Sequence, residues 1–127
     1  MENVIFEFYI GDTYSRDFTL SGYTSPIDEV YFSVKKNNTD KRTVLQKTLE
    51  DGITLVDVEY DTDGSILKRT YNILIDASDT EDMQMGYDYS FDIEIVTPVL
   101  SGENIKKTVI TGIFRLKEAT TRSFNES

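Results

Sequence analysis

The sequence predicts an all-β domain, a sandwich or a barrel built from about eight short strands. Two patterns predict it: apolar and polar residues alternate with a period of two in one segment after another, and clusters of turn residues interrupt the alternation every 8–12 residues or so. The composition agrees, with eight Tyr and seven Phe but no Trp. Such rings suit a pleated, half-buried surface.

The elements follow in order. Val4, Phe6 and Phe8 alternate with Ile5, Glu7 and Tyr9, and Gly11-Asp12 closes that strand. Tyr14, Phe18 and Leu20 then share one side, opposite Ser15, Asp17 and Thr19; Arg16 is the polar exception on the apolar side. The turn residues of 21–26 lead to a strand in which Val30, Phe32 and Val34 oppose Glu29, Tyr31, Ser33 and Lys35. A polar connection spans Lys36 to Arg42, and Leu45 and Leu49 mark the next strand. Asp51-Gly52 reads as a hairpin turn before Ile53-Thr54-Leu55. A further turn at 61–65 precedes Tyr71, Ile73 and Ile75.

From Ala77 to Met85 the strand rhythm breaks. Cap-like residues followed by acids in Ser78-Asp79-Thr80-Glu81-Asp82 predict one short helical turn near 78–84, ended by Gly86. The cleanest alternation comes next, with Tyr87, Tyr89, Phe91, Ile93 and Ile95 opposite Asp88, Ser90, Asp92 and Glu94. Pro98 and 101–104 make a reversal, and a last long strand runs through Ile110, Gly112, Phe114 and Leu116. The expected organisation is a single domain over 1–118 with a polar tail at 119–127.

Charge and residue types narrow the function. A formal net charge of −10 repels a phosphate backbone, and the pairs Lys35-Lys36, Lys41-Arg42 and Lys106-Lys107 read as solvated loop and edge charges. No nucleic-acid partner and no membrane partner are expected. The N-terminal residues do not read as a signal peptide, and no apolar run reaches spanning length. Histidine and cysteine are both absent, which removes imidazole bases, thiolate nucleophiles and the commonest metal ligands. No Gly-rich phosphate loop occurs.

What chemistry remains lies in carboxylates and tyrosines. Asp88, Asp92 and Glu94 share a strand face, but strict alternation with apolar residues is the pattern of a solvent face rather than of a glycosidase pair. Asp57, Glu59, Asp61 and Asp63 surround a Gly, yet an EF-hand register begun at Glu59 puts Thr70 where the bidentate acid belongs. The acids of 76–82 form a second such loop. No catalytic, metal or cofactor residue is therefore expected, and the chain reads as a non-enzyme. Tyr14, Tyr23, Tyr31, Tyr60, Tyr71, Tyr87 and Tyr89 suggest the alternative of a carbohydrate-binding module with exposed tyrosines, although most rings should pack in the core. Asn37-Asn38-Thr39 and Asn125-Glu126-Ser127 match a glycosylation sequon and carry little without a secretory leader.

An ordered set of blocks carries a resemblance. These are Gly11-Asp12-Thr13-Tyr14, Arg16 to Leu20, Pro26-Ile27-Asp28 with Val30 to Lys35, Leu45 to Leu49 and Gly52 to Leu55. They continue with Asp76 to Met83, Gly86 to Ile95, and Thr108 to Lys117 leading to Thr120-Thr121-Arg122. Across nearly the whole chain this succession resembles small β-sandwich structural proteins of phages and prophages of Gram-positive bacteria. It is similar to the N-terminal domain of their baseplate upper proteins, although the long C-terminal extension of those proteins has no counterpart before Ser127. The resemblance implies an antiparallel Ig-like β-sandwich that catalyses nothing and assembles, as a homo-oligomer or in a symmetric array with other phage structural proteins, into a tail or baseplate. It also implies residence in the host cytoplasm during assembly and in the virion afterwards. Within that reading the interface residues expected are Tyr31, on the polar side of its strand and the aromatic expected to be most exposed, and Arg122 and Phe124 in the tail.

Overall fold

Alternation along each segment becomes the inside and outside of an all-β fold. The computed structural model describes residues 4–23, 26–37, 39, 41–98 and 104–118. Its elements are β1 (Val4–Tyr9), β2 (Tyr14–Ser21), β3 (Glu29–Lys35), β4 (Leu45–Leu49), β5 (Gly52–Tyr60), β6 (Ile66–Ile75), α1 (Ala77–Thr80), β7 (Asp88–Pro98) and β8 (Asn104–Lys117). The eight strands form one hydrogen-bonded sheet in the order β1-β8-β7-β3-β4-β5-β6-β2. Most pairs are antiparallel, but β1 runs parallel to β8, and β4 meets β5 in a short parallel contact. The sheet curls so that its two end strands, β1 and β2, approach each other. The architecture is thus mixed and barrel-like, where a wholly antiparallel arrangement was expected.

Two local causes account for the difference. Asp51-Gly52 is not a two-residue hairpin. Glu50 and Gly52 both take positive φ (69° and 99°), and the chain turns a corner at which Glu50 N donates to Ile53 O at 2.7 Å. Only Thr48↔Gly52 and Leu49↔Ile53 are then in register, side by side and parallel. A β-carbon on Gly52 would lie 2.4 Å from the Lys47 side chain, so both the conformation and the space call for glycine.

The second cause is Gly112. Here β1 lies against β8 with Val4 opposite Gly112 and Phe6 opposite Phe114. A β-carbon on Gly112 would stand 1.9 Å from the Val4 carbonyl oxygen and 2.7 Å from the Phe91 ring. Only glycine lets β1 come this close while the Phe91 ring fills the space beneath.

The core follows the predicted parity. Phe6, Phe32, Phe91, Phe114, Tyr71, Ile73, Ile75, Ile93, Ile95, Val30 and Val34 are all buried. Phe6 sits 4.5 Å from Phe91, 5.6 Å from Phe32 and 6.0 Å from Tyr14 (ring centroids), which joins β1, β7, β3 and β2 in one aromatic cluster. Arg16, the polar exception of β2, also finds its reason here. Its guanidinium lies 4.5 Å over the Phe6 ring, and Nη1 donates to the Ile5 carbonyl at 2.9 Å. With the stacked pair Phe8 and Tyr14 (4.2 Å), it joins the two ends of the sheet where no β1–β2 strand pairing exists.

The helical turn occupies Ala77–Thr80, shorter than and N-terminal to the 78–84 expected. Asp79 accepts a hydrogen bond from the Asp76 backbone N–H at 2.8 Å and an ion pair from Lys47 at 2.7 Å, which anchors the turn to β4. Thr80 is fully buried beneath it. Among the described residues, no helix is long and apolar enough to cross a membrane.

Two outcomes test this account. Gly112→Ala should lower the unfolding free energy by about 2–3 kcal/mol or more, as overpacking against backbone does, in urea denaturation. Arg16→Met keeps the aliphatic stem but loses the donor and the cation; a loss of about 1–2 kcal/mol is expected, with faster amide exchange in β1 than in β7.

Candidate functional site

Polar chemistry concentrates on the outer face of β3, β4, β7 and β8, because the even parity of β7 and the odd parity of β3 both point away from the core. Cross-strand register sets Tyr31 beside Glu94 and Thr48, and Ser33 beside Asp92 and Gln46. Tyr31, Ser33, Lys35, Gln46, Asp92 and Lys106 all line one hollow on this face. Gln46 Nε2 donates to Ser33 Oγ at 3.0 Å. A neighbouring hollow lies between the start of β3 and the β4 corner, bounded by Asp28, Tyr31, Leu49 and Glu50.

Tyr31 is half-buried; among the described residues the most exposed aromatic is instead Tyr60, 64% exposed at the end of β5. The Tyr31 hydroxyl donates to Glu29 Oε1. That hydrogen bond, burial, and the negative charges of Glu29 and Glu94 together raise the phenol above its ordinary range. Arg122 and Phe124 lie outside the described residues.

The three acids of β7 differ in their surroundings. Asp88 is clamped by Arg115, whose Nε and Nη2 donate to its two oxygens (3.0 Å for Nη2), while Nη1 donates to Glu7 at 2.9 Å. One guanidinium thus ties β1, β8 and β7 across the outer face. The Arg115 hydrogen bond holds the Asp88 carboxyl below the usual range, and the two acids drive the Arg115 pKa further up. Asp92 and Glu94 stay partly exposed near Lys35, Lys106 and Tyr31.

The acidic loops are likewise occupied with structure. Asp63 Oδ1 accepts from Ser65 N at 2.9 Å and Ser65 Oγ at 2.6 Å, and these bonds lower its pKa. Asp61 Oδ1 accepts from Thr62 N at 2.7 Å, and Glu59 pairs with Lys68 at 2.8 Å. Among the described residues, no group of three or more acids gathers as a metal site would require. Asn37 Oδ1 accepts from Thr39 N and Oγ1 (3.1 and 2.6 Å), a local turn.

The tyrosines do not assemble into one platform. Tyr71 and Tyr89 are buried, and Tyr14, Tyr23 and Tyr87 pack against the core. The Tyr89 hydroxyl accepts from Gln84 N at 2.8 Å and fixes the corner between α1 and β7, while Tyr87 donates to the Lys36 carbonyl at 3.1 Å. What the sequence reading passed over is the exposed apolar set on β5, with Leu55, Val56 and Tyr60. Its signal was there to read: Leu55-Val56 places two apolar residues in succession, and the register of β5 against β6 slips between Leu55 and Asp57.

No protein-family model matches the chain, and a search of curated proteins finds no significant match.

The Asp88–Arg115 pair sets a pH dependence. The folded-state pKa of Asp88 is depressed, so its contribution is present above the unfolded carboxylate value of about 3.9 and is lost as pH falls through the folded one. Asp88→Asn should therefore be less stable at neutral pH and lose less stability on acidification. Urea midpoints measured across that interval check both.

Proposed function

We propose that this chain is a non-catalytic structural module of a phage or prophage particle, of the tail or baseplate type, and that it works through protein–protein contacts. The observation that carries the reading is the way polar groups are spent on architecture while strand edges are left open. Asp88, Asp79, Asp63 and Glu59 each serve a clamp, a cap, a turn or a surface ion pair. By contrast, the outer edges of β5 and of the first half of β8 have no strand partner among the described residues. Such edges suit strand-by-strand assembly. The attribution to phage rests on the ordered sequence blocks.

The finer fold reading belongs to the same proposal. Taken as β1-β8-β7-β3-β4 facing β5-β6-β2, with the corner at Glu50–Gly52 as the crossing between them, the sheet divides into two layers of an Ig-like sandwich. Support comes from the parallel β1–β8 pair and from Tyr89, near the start of β7, bonded back to Gln84 in the manner of a tyrosine corner.

Mass spectrometry of particles induced and purified from the source strain tests the function. The chain is expected at a fixed stoichiometry to other structural proteins. Well-formed particles that lack it would overturn the attribution.

A further inference from the structure

Besides the end strands β1 and β2, two interior strands leave a stretch of edge open among the described residues, and these two differ in charge. β5 pairs with β4 only at Gly52 and Ile53, so its outer edge is open from Thr54 to Tyr60 among the described residues. β8 pairs with β1 only from Gly112 to Lys117, so no described strand covers its outer edge from Asn104 to Thr111. The β5 edge carries Leu55, Val56 and Tyr60, exposed by 44, 53 and 64%, together with Asp57 and with Glu59, which also pairs with Lys68 of β6. The β8 edge carries Ile105, 52% exposed, beside Lys106 and Lys107. Both are long enough for a strand of ordinary length. Each edge offers unpaired backbone groups and an apolar contact, which is what strand addition needs.

Charge decides what each edge can accept. Two β5 edges would set acids against acids, and two β8 edges lysines against lysines, both unfavourable across a strand pair. An acidic edge beside a basic one is favourable. Within one copy the two cannot pair, because β7, β3 and β4 lie between them in the sheet. We propose that the β5 edge of one copy docks along the β8 edge of a second copy, head to tail. A contact joining two different surfaces repeats from copy to copy, closing into a ring or continuing as an open array. The net charge of −10 opposes association in general, and the basic β8 edge offsets that repulsion for an acidic strand. The inference rests on the assembly reading above and names its partner and surfaces.

Charge exchange tests it. In sedimentation velocity over a concentration series, the wild-type chain should form oligomers. Asp57→Lys/Glu59→Lys places basic edges on both sides, and Lys106→Glu/Lys107→Glu places acidic edges on both. Asp57 and Glu59 share one face of β5 while Lys106 and Lys107 lie on opposite faces of β8, so one direct cross-strand charge pair changes sign, and each variant alone should associate at least about threefold more weakly. Mixed in equal amounts, the two variants present only unlike edges to each other and should recover wild-type association. Thermal melts by circular dichroism confirm that both are folded; if a double variant lacks a transition, the single changes Asp57→Lys and Lys106→Glu make the same test. A wild-type monomer at every concentration, unchanged association in the variants, or a mixture that fails to recover would each overturn the proposal. Particles that contain the chain but tolerate the exchanges would sink the edge pairing alone. Self-association of a chain missing from particles would sink the phage attribution alone.

Discussion

The close approach of β1 to β8 at Gly112 is the constraint on which the rest of the fold depends. Because Gly112 has no β-carbon, the Val4 carbonyl can pass over it while the Phe91 ring fills the space below. That places Phe6 within ring contact of Phe91, Phe32 and Tyr14 at once. The aromatic cluster then draws β2 toward β1, and Arg16 completes the junction with a hydrogen bond and a cation over the Phe6 face. A polar residue on an apolar face would ordinarily cost stability. Here it satisfies a carbonyl that the open end of the sheet would leave without a strand partner.

The outer surface is organised by charge in the same economical way. Arg115 holds three strands together through Glu7 and Asp88, Lys47 fastens the helical turn through Asp79, and Lys68 matches Glu59 across β5 and β6. The Arg115 and Lys68 pairs, being exposed, contribute little energy each, and their value lies in fixing register and orientation; Lys47–Asp79 is the more buried pair. They also withdraw from chemistry several of the acids that a reader of the sequence would consider for catalysis or for metal binding. Among the described residues, the backbone left without a strand partner includes the outer edges of β5 and of the first half of β8. An assembly module would be expected to keep its free valences there, since backbone pairing supplies affinity while edge charges select the partner.

Much of the fold was legible in the residues themselves. Alternation located most strands, though it followed β5 only to Leu55, and the buried parity of β1, β3, β6 and β7 followed directly from it, because a period of two sends successive side chains to opposite faces. The helical turn was legible from its cap-like acids, and only its limits moved. The Asp51-Gly52 corner was misjudged as a hairpin, since an Asp-Gly pair specifies positive φ at the glycine but not whether the flanking strands lie back to back or cross from one layer to another. The exposure of Tyr31 was also overestimated: parity placed it on the outer face, but among neighbouring side chains of that face it is half-buried.

The sequence by itself determined the fold class, the inner and outer faces of the strands, and the absence of histidine and cysteine chemistry. These depend only on residue type and on local spacing. Tertiary structure alone decided the strand order, the parallel β1–β8 pair, the purpose of Arg16, and which edges remain open. Each of these depends on which distant segments come to lie side by side. A strand's alternation specifies which face is buried but not which neighbour pairs with it, so the apolar residues of β5 could be read in the sequence while its open edge emerges only when the strands are assembled.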